Sequence, residues 1–390
     1  MIIKEISRKE YDDYLARLRN YSFLQTSQMA EVLKSNNRKT KLLALHDEGE
    51  ILAVGLAFMR KFYGGERMDL MVGASSEVKE NEYIFYDKLK DYAKEEGYLK
   101  LVVKLDSDYQ EIDQEGEEIL AEDGSFFEKM KEVGYIGNDG SVPTFDGSPD
   151  YQFIKNLGEF LPDKDEELLK SFNKNAQRKI KKALELGLKV RKISKDELEE
   201  FRTLTSETAE RQGFGDKSIN YYRTFFDEFG PSTEFLTSEI DFAYSIGKMR
   251  DLLDKIGDTP KNKQRRESLE NDIKMLEDFE KEANKPVVPL ANMILVYGEK
   301  EVIYFLGGSL TKYQKLPGAF ILQYEAMRRI MQRNIPIYNF FGIDGVFDGS
   351  DGVLRFKQNF NGYIIRKTGA FIYYPYPEEL EKARNSKKKD

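Results

Sequence analysis

"VVPLANMILVYGEKEVIYFLGGSL", from Val287 to Leu310, decides the fold. Two runs rich in valine, isoleucine, leucine and tyrosine flank the turn Gly298-Glu299-Lys300, the signature of two adjacent strands. A helical pattern follows in PGAFILQYEAMRRIMQRN (317–334), then an apolar strand within IPIYNFFGI (335–343). The same succession stands earlier. TKLLALHDEGEILAVGLAFMRKF (40–62) reads as a strand pair, ENEYIFYDKLKDYAKEEGY (80–98) as a helix stopped at Gly97, and LKLVVKLD (99–106) as a strand closed by acidic residues. The chain is therefore read as α/β (α+β), two copies of one unit, residues 1–148 and 149–368.

The second unit opens with a strand in DYQFIKNL and a helix in DKDEELLKSFNKNAQRKIKKALELG broken near Ser171. A further helix, SKDELEEFRTLTSETAERQGF, has Ser194 and Glu197 in capping-box spacing. Between Tyr244 and Lys285 the pattern is interrupted by charged helical sequence. Ile246, Met249, Leu253 and Ile256 form one apolar stripe, and Leu269, Ile273, Leu276 and Ala283 a second, with Gly-Asp-Thr-Pro between them. Stripes this narrow predict two helices packed mainly on each other, an antiparallel coiled-coil arm projecting from the second unit.

Composition sets bounds. At 390 residues the chain exceeds the roughly 250–300 at which single cores stop growing, and 40% hydrophobic with 13% aromatic residues can fill two. No apolar run approaches the ~20 residues of a bilayer span, and the first residues, MIIKEISRKEYDDY, lack a signal-peptide core. A cytoplasmic protein is expected. With no cysteine and one histidine, His46, neither a Cys–His nucleophile nor a Cys/His zinc site can form, and no cofactor is called for. His46 is read as a turn residue. The net charge of −8 offers no global footprint for nucleic acid, so a polyanion would need local patches.

Several motifs in order then carry a resemblance: NAQRKIKKALELGLKV, AERQGF, YFLGGS, YNFFGI and LRFKQNFNG, with SFLQTSQMAEVLK near the N-terminus. The chain resembles the Fem/Mur (FemABX) aminoacyltransferases of peptidoglycan bridge synthesis, closest in look to the streptococcal alanine- or serine-adding members. The resemblance implies two acetyltransferase-like (GNAT) subdomains, with the C-terminal segment 369–390 returning to the first. It implies transfer of alanine or serine, with glycine also open, from aminoacyl-tRNA to the stem-peptide lysine of lipid II or UDP-MurNAc-pentapeptide. Met29 stands where the family has tryptophan, and Gly73-Ala74 where it has Gly-Pro.

An amine attacking an ester needs positioning and a group to stabilise the developing oxyanion. Lys357, between Phe356 and Gln358, is the catalytic candidate, with Phe356 shaping its pocket and the loop Gly345–Gly352 closing over it; the alternative is a snorkelling lysine on a strand. The resemblance makes Lys34 and Arg211 contacts to the substrate pyrophosphate, and it places Tyr304 and Gly307-Gly308-Ser309 along a peptide channel. Asp106 and Asp108 could meet the accepting ammonium or be solvated loop acids. Arg178, Lys179 and Lys182, with Lys181, lie on one helix whose Ile180, Ala183 and Leu184 are read as core-facing; this patch and KNKQRR (261–266) are candidate tRNA contacts. The tail KARNSKKKD (382–390) could add weak attraction to an anionic membrane face.

Two rivals remain. An acyl-CoA-dependent N-acetyltransferase would need a Q/R-x-x-G-x-G/A loop opening a helix, and none is present. A non-enzymatic scaffold using the arm would need no lysine in RFKQNF.

Overall fold

A computed structural model describes residues 1–143, 147–213, 215–378 and 380–381. The first unit runs β1 (Ile2–Glu5), α1 (Arg8–Leu15), α2 (Ser27–Ser35), β2 (Lys39–Asp47), β3 (Glu50–Phe62), β4 (Gly65–Leu70), α3 (Lys79–Glu95), β5 (Lys100–Asp113), β6 (Glu118–Leu120), α4 (Ser125–Glu132) and β7 (Ile136–Gly137). The second begins with β8 (Tyr151–Asn156), α5 (Asp165–Ser171), α6 (Lys174–Leu186), β9 (Lys189–Lys192), α7 (Leu198–Gln212), α8 (Ile219–Phe229) and β10 (Thr233–Asp241). It continues through α9 (Phe242–Lys255), α10 (Lys263–Glu282), β11 (Val287–Tyr297), β12 (Glu301–Ser309), α11 (Gly318–Gln332), β13 (Ile337–Ile343), α12 (Gly352–Lys357) and β14 (Tyr363–Tyr373).

One sheet holds both units, in the order β1-β2-β3-β4-β5-β14-β8-β13-β12-β11-β10-β9. Each unit is an antiparallel meander of four strands ending in a parallel pair, β4 with β5 and β12 with β13. The expected repeat is thus present as topology. Each unit then sends its next strand across the boundary. β8 pairs with β13, β14 pairs with β5, and β8 and β14 pair with each other at the centre. The returning segment therefore begins at Tyr363, earlier than the expected residue 369; residues 382–390, with their lysine cluster, lie outside the described residues.

Three large clusters, with a small fourth of Val102, Val142, Ala370 and Ile372, bury the apolar faces. Tyr86, Leu89, Leu101 and Val103 centre one beneath the first unit, and Phe153, Ile180, Met327 and Phe340 another beneath the second. The third, on the opposite face, joins both units: Tyr11 and Met29 share it with Tyr222, Phe225 and Phe235. Phe225 stacks on Phe229 at 4.4 Å and on Phe305 at 5.4 Å, and Phe23 of the SFLQ motif meets Phe305 edge-on at 4.9 Å. Gln25 of that motif donates to the carbonyls of Val54 and Gly73 and accepts from Ser75, which pins the departing end of β4.

Four local expectations are corrected. His46 lies within β2, and the turn is Glu48-Gly49, both at positive φ as a type I′ hairpin requires. β5 does not close at Asp106 but runs on to Asp113, because pairing with β14 continues past the acidic residues. Leu184 is exposed, whereas Ile180 and Ala183 are buried as expected. The arm pairs antiparallel, Arg250 with Glu277 near its base and Arg266 closing the carbonyls of Leu253 and Ile256 at its tip, yet it does not project. It lies on α6: Lys182 pairs with Asp272, Arg265 with Glu185, and Lys248 donates to Leu184 O at 2.9 Å.

α7 crosses β12 at Gly308, where a Cβ would enter the carbonyl of Leu204 and come within 2.8 Å of Thr205 Cα. Gly308→Ala is expected to cost about 1–3 kcal/mol, the scale of overpacking against an unyielding backbone. A urea midpoint lowered at unchanged m would show it; an unmoved midpoint would mean α7 is not fixed there.

Candidate active site

β12 and β13 pair only from Glu301–Ile303 against Ile337–Asn339, then separate. At the point of separation β13 breaks register between Asn339 and Gly342, and Phe341 takes φ 63°, a left-handed conformation unfavourable for a side chain of that size. Asn339 holds the distortion by accepting from Phe341 N at 2.8 Å. The carbonyls of Phe341 and Gly342 then face the side chain of Lys357.

Lys357 ends α12, a short helix capped by Asp351, whose Oδ1 accepts from Val353 N and Leu354 N. It is buried, and its Nζ donates to Gly342 O at 2.5 Å and Phe341 O at 3.1 Å. The lysine is neither on a strand nor snorkelling. Burial pushes its ammonium down to about 7, while Asp351 and Asp344 act in the opposite sense. Asp344 is itself raised, by burial and by Asp351. Phe356 turns away from this point and packs on Phe320 and Phe360 at 5.3 and 5.5 Å, so it belongs to the core and not to a lysine pocket. The glycine loop is docked: Phe347 packs against Gly116, and its ring meets Tyr151 edge-on at 6.4 Å.

Asp106 and Asp108 enter a polar row that crosses five strands. Lys367 on β14 bonds Asp108 at 2.7 Å and lies 3.8 Å from Asp106. Asp106 accepts from Ser148 Oγ at 2.5 Å and Gln152 Nε2 at 3.4 Å. Asn339 Nδ2 donates to Gln152 Oε1 at 2.8 Å and to Glu301 Oε2 at 3.2 Å. Burial opposes the charge of Lys367, but Asp106, Asp108 and Glu301 together hold it above its ordinary value. Burial raises Glu301, with Lys367 and Asn339 countering. Lys367, Glu301, Asn339 and Gln152 were not singled out from sequence; charged and amide residues inside otherwise apolar strands were the signal available.

Arg211, Tyr304 and Gly307–Ser309 come together. Arg211, exposed in the last turn of α7, donates to Thr311 Oγ1 at 2.9 Å and Ser309 O at 3.4 Å. Tyr304 is half-buried with its ring over Gly307, and burial raises its phenol to about 12. Lys34 stands apart, paired with Glu31 at 2.8 Å on α2. Of the basic candidates, Arg178 is exposed and Lys179 half-buried on α6. Lys182, Arg265 and Arg266 hold the arm and are not free for a ligand.

A family model described as the FemAB family matches residues 6–385. Aminoacyltransferase FemA of Staphylococcus epidermidis is 25% identical, over 95% of this chain and 95% of its own length. Aminoacyltransferase FemA of Staphylococcus aureus is likewise 25% identical at 95% coverage of both. Among solved structures, FemX superposes with a TM-score of 0.70 at 21% identity, covering 96% of this chain and 97% of its own. A tandem GNAT protein from the clavulanic acid biosynthesis pathway gives 0.51 at 7% identity over 96% and 99%.

The depressed Lys357 gives a signed prediction. Between about pH 7 and the ordinary lysine range the unfolded chain binds a proton that the folded protein does not, so stability rises with pH there. Lys155, also buried and lowered to about 8, contributes in the same direction. The stability difference between wild type and Lys357→Met, which cancels Lys155, should therefore shift toward wild type from pH 7 to 9. Denaturant titrations at the two pH values measure it; a pH-independent difference would place the titration elsewhere.

Proposed function

We propose, from the premise that this chain belongs to the FemAB family and is an aminoacyltransferase, that it transfers an amino acid from aminoacyl-tRNA to the stem-peptide lysine of a peptidoglycan precursor. The acceptor is lipid II or UDP-MurNAc-pentapeptide, and alanine or serine is favoured over glycine as the residue moved. Work on lipid II would bring the protein to the inner face of the membrane as a peripheral visitor; among the described residues no helix is long and apolar enough to cross it.

The carrying observation is the Lys357 ammonium on the bulged end of β13. An ammonium has three N–H donors, and two are taken by Phe341 O and Gly342 O. The third is available to the oxyanion that forms when an amine attacks the ester carbonyl. A donor in a water-poor site acts on that charge without prior reorganisation. Neutral lysine has two donors, both already occupied, so this help is lost as pH rises through about 7. Arg211 supplies a cation for the pyrophosphate of the acceptor and Tyr304 lines the peptide, whereas Lys34, paired with Glu31, and Asp106 and Asp108, beside Lys367, are engaged within the chain.

The direct test is a transfer assay with Ala-, Ser- and Gly-tRNA and each acceptor; transfer from none would overturn the reading. Lys357→Met should reduce turnover by on the order of a hundredfold or more. Its residual rate should lack the alkaline fall expected of wild type, and wild-type turnover in this variant would remove Lys357 from the mechanism. Arg211→Ala should weaken the nucleotide-linked acceptor roughly ten- to a hundredfold, the scale of one charge-assisted contact, and should matter little for a stem peptide without phosphates. Loss of aminoacyl-tRNA instead would move Arg211 to the donor side.

A further inference from the structure

Many cations on this surface are paired with carboxylates, as Lys182, Lys192, Lys195 and Arg265 illustrate. The outward face of α6 is different. Ala176, Ile180 and Ala183 face the core, which turns Lys174, Arg178 and Lys181 to solvent on one line. None of the three has an acidic partner among the described residues, and neither has Arg355, exposed on α12 two positions before Lys357. α6 is bolted to the turn that follows Lys357: Asn173 N donates to Asn359 O at 3.0 Å, and Asn175 Nδ2 to Asn359 Oδ1 at 2.8 Å.

The other side of the same turn is acidic. Gln358 Nε2 donates to Gln114 O at 2.8 Å at the tip of the β5–β6 hairpin. That tip carries Asp113, Glu115, Glu117 and Glu118, of which the last three are exposed. Lys357 thus sits on a boundary between cations without acidic partners and carboxylates without basic ones among the described residues, in a chain whose net charge is −8.

We propose that the Lys174–Arg178–Lys181 face of α6 is the docking surface for the duplex next to the reactive end of the donor RNA, and that the hairpin excludes that duplex from the opposite side. This rests on the reading of aminoacyl-tRNA as donor. The line of cations spans ~10 Å along the helix, matched to a phosphate backbone and not to a single anion. The two charged groups flank one turn, and exposed charges act over about 8 Å at physiological salt. The approach is therefore directional. The RNA lies along α6, and only its single-stranded end reaches α12.

The test uses the full chain with Lys174→Glu, Arg178→Glu and Lys181→Glu combined, two donors and the same acceptor. One donor is an aminoacylated RNA minihelix; the other is a short aminoacylated single strand ending in CCA. The variant should lose at least tenfold in kcat/KM for the minihelix, with a salt dependence flatter by about two to three in log–log slope, approximately one per lost phosphate contact. For the single strand it should stay within twofold. An unchanged minihelix rate overturns the proposal, as does an equal fall for both donors. Should wild type transfer from neither, the donor reading fails, and binding of the uncharged minihelix still decides the surface: weaker binding by the variant supports it, equal binding overturns it. A variant that binds RNA normally but loses vesicles containing anionic phospholipid assigns α6 to the membrane and also overturns it. Glu115→Lys with Glu117→Lys should tighten minihelix binding without raising kcat/KM.

Discussion

The antiparallel pairing of β8 with β14, Tyr363 opposite Ile154 and Arg366 opposite Tyr151, is the contact on which the rest of the molecule depends. Without it there would be two small sheets, each with an open edge beside its parallel pair. With it there is one sheet, and the boundary between the units becomes a floor lined by side chains from both. The polar row from Asp108 to Glu301 crosses this floor and takes members from β5, β14, β8, β13 and β12. A row of buried amides and partly buried charges is tolerable because its members have partners; one left alone would lose much of its hydration without compensation.

Lys357 obeys the same rule by a different route. The bulge at Phe341 brings two successive carbonyls to one ammonium, which serves both and keeps a donor in reserve. The strained backbone and the buried cation therefore explain each other. Neither would persist alone, since φ 63° at a phenylalanine costs energy and an ammonium in an apolar core costs more.

Much of the fold was legible in the sequence because it rests on local signals. Apolar runs, helical spacing and glycine stops marked β2, β3, β11, β12, α3 and α11, and the capping box at Ser194–Glu197 formed. What depends on partners distant in sequence was not legible. Nothing in LVVKLDSDYQEID says that β14 will extend β5 through its acidic residues, and nothing in the arm's stripes says that Asp272 will meet Lys182. The same limit governs the site. Lys357 stood out among aromatic residues, yet the helix that carries it turns Phe356 into the core and gives the lysine to backbone carbonyls, an outcome set by the cap at Asp351.

The reciprocal exchange of strands also has a consequence for how the chain is made. β5 is complete by Asp113, yet the neighbour that covers its outer edge is β14, and a hydrogen bond such as Thr368 Oγ1 to Ser107 O spans 261 residues. During synthesis the first unit must wait, its edge unpaired, until nearly the whole chain has left the ribosome. Closing so long a loop is slow, and an open strand edge invites pairing with other chains. Glu111 and Asp113 stand on that waiting edge beside the acidic hairpin that follows, where like charges oppose pairing between neighbouring nascent chains.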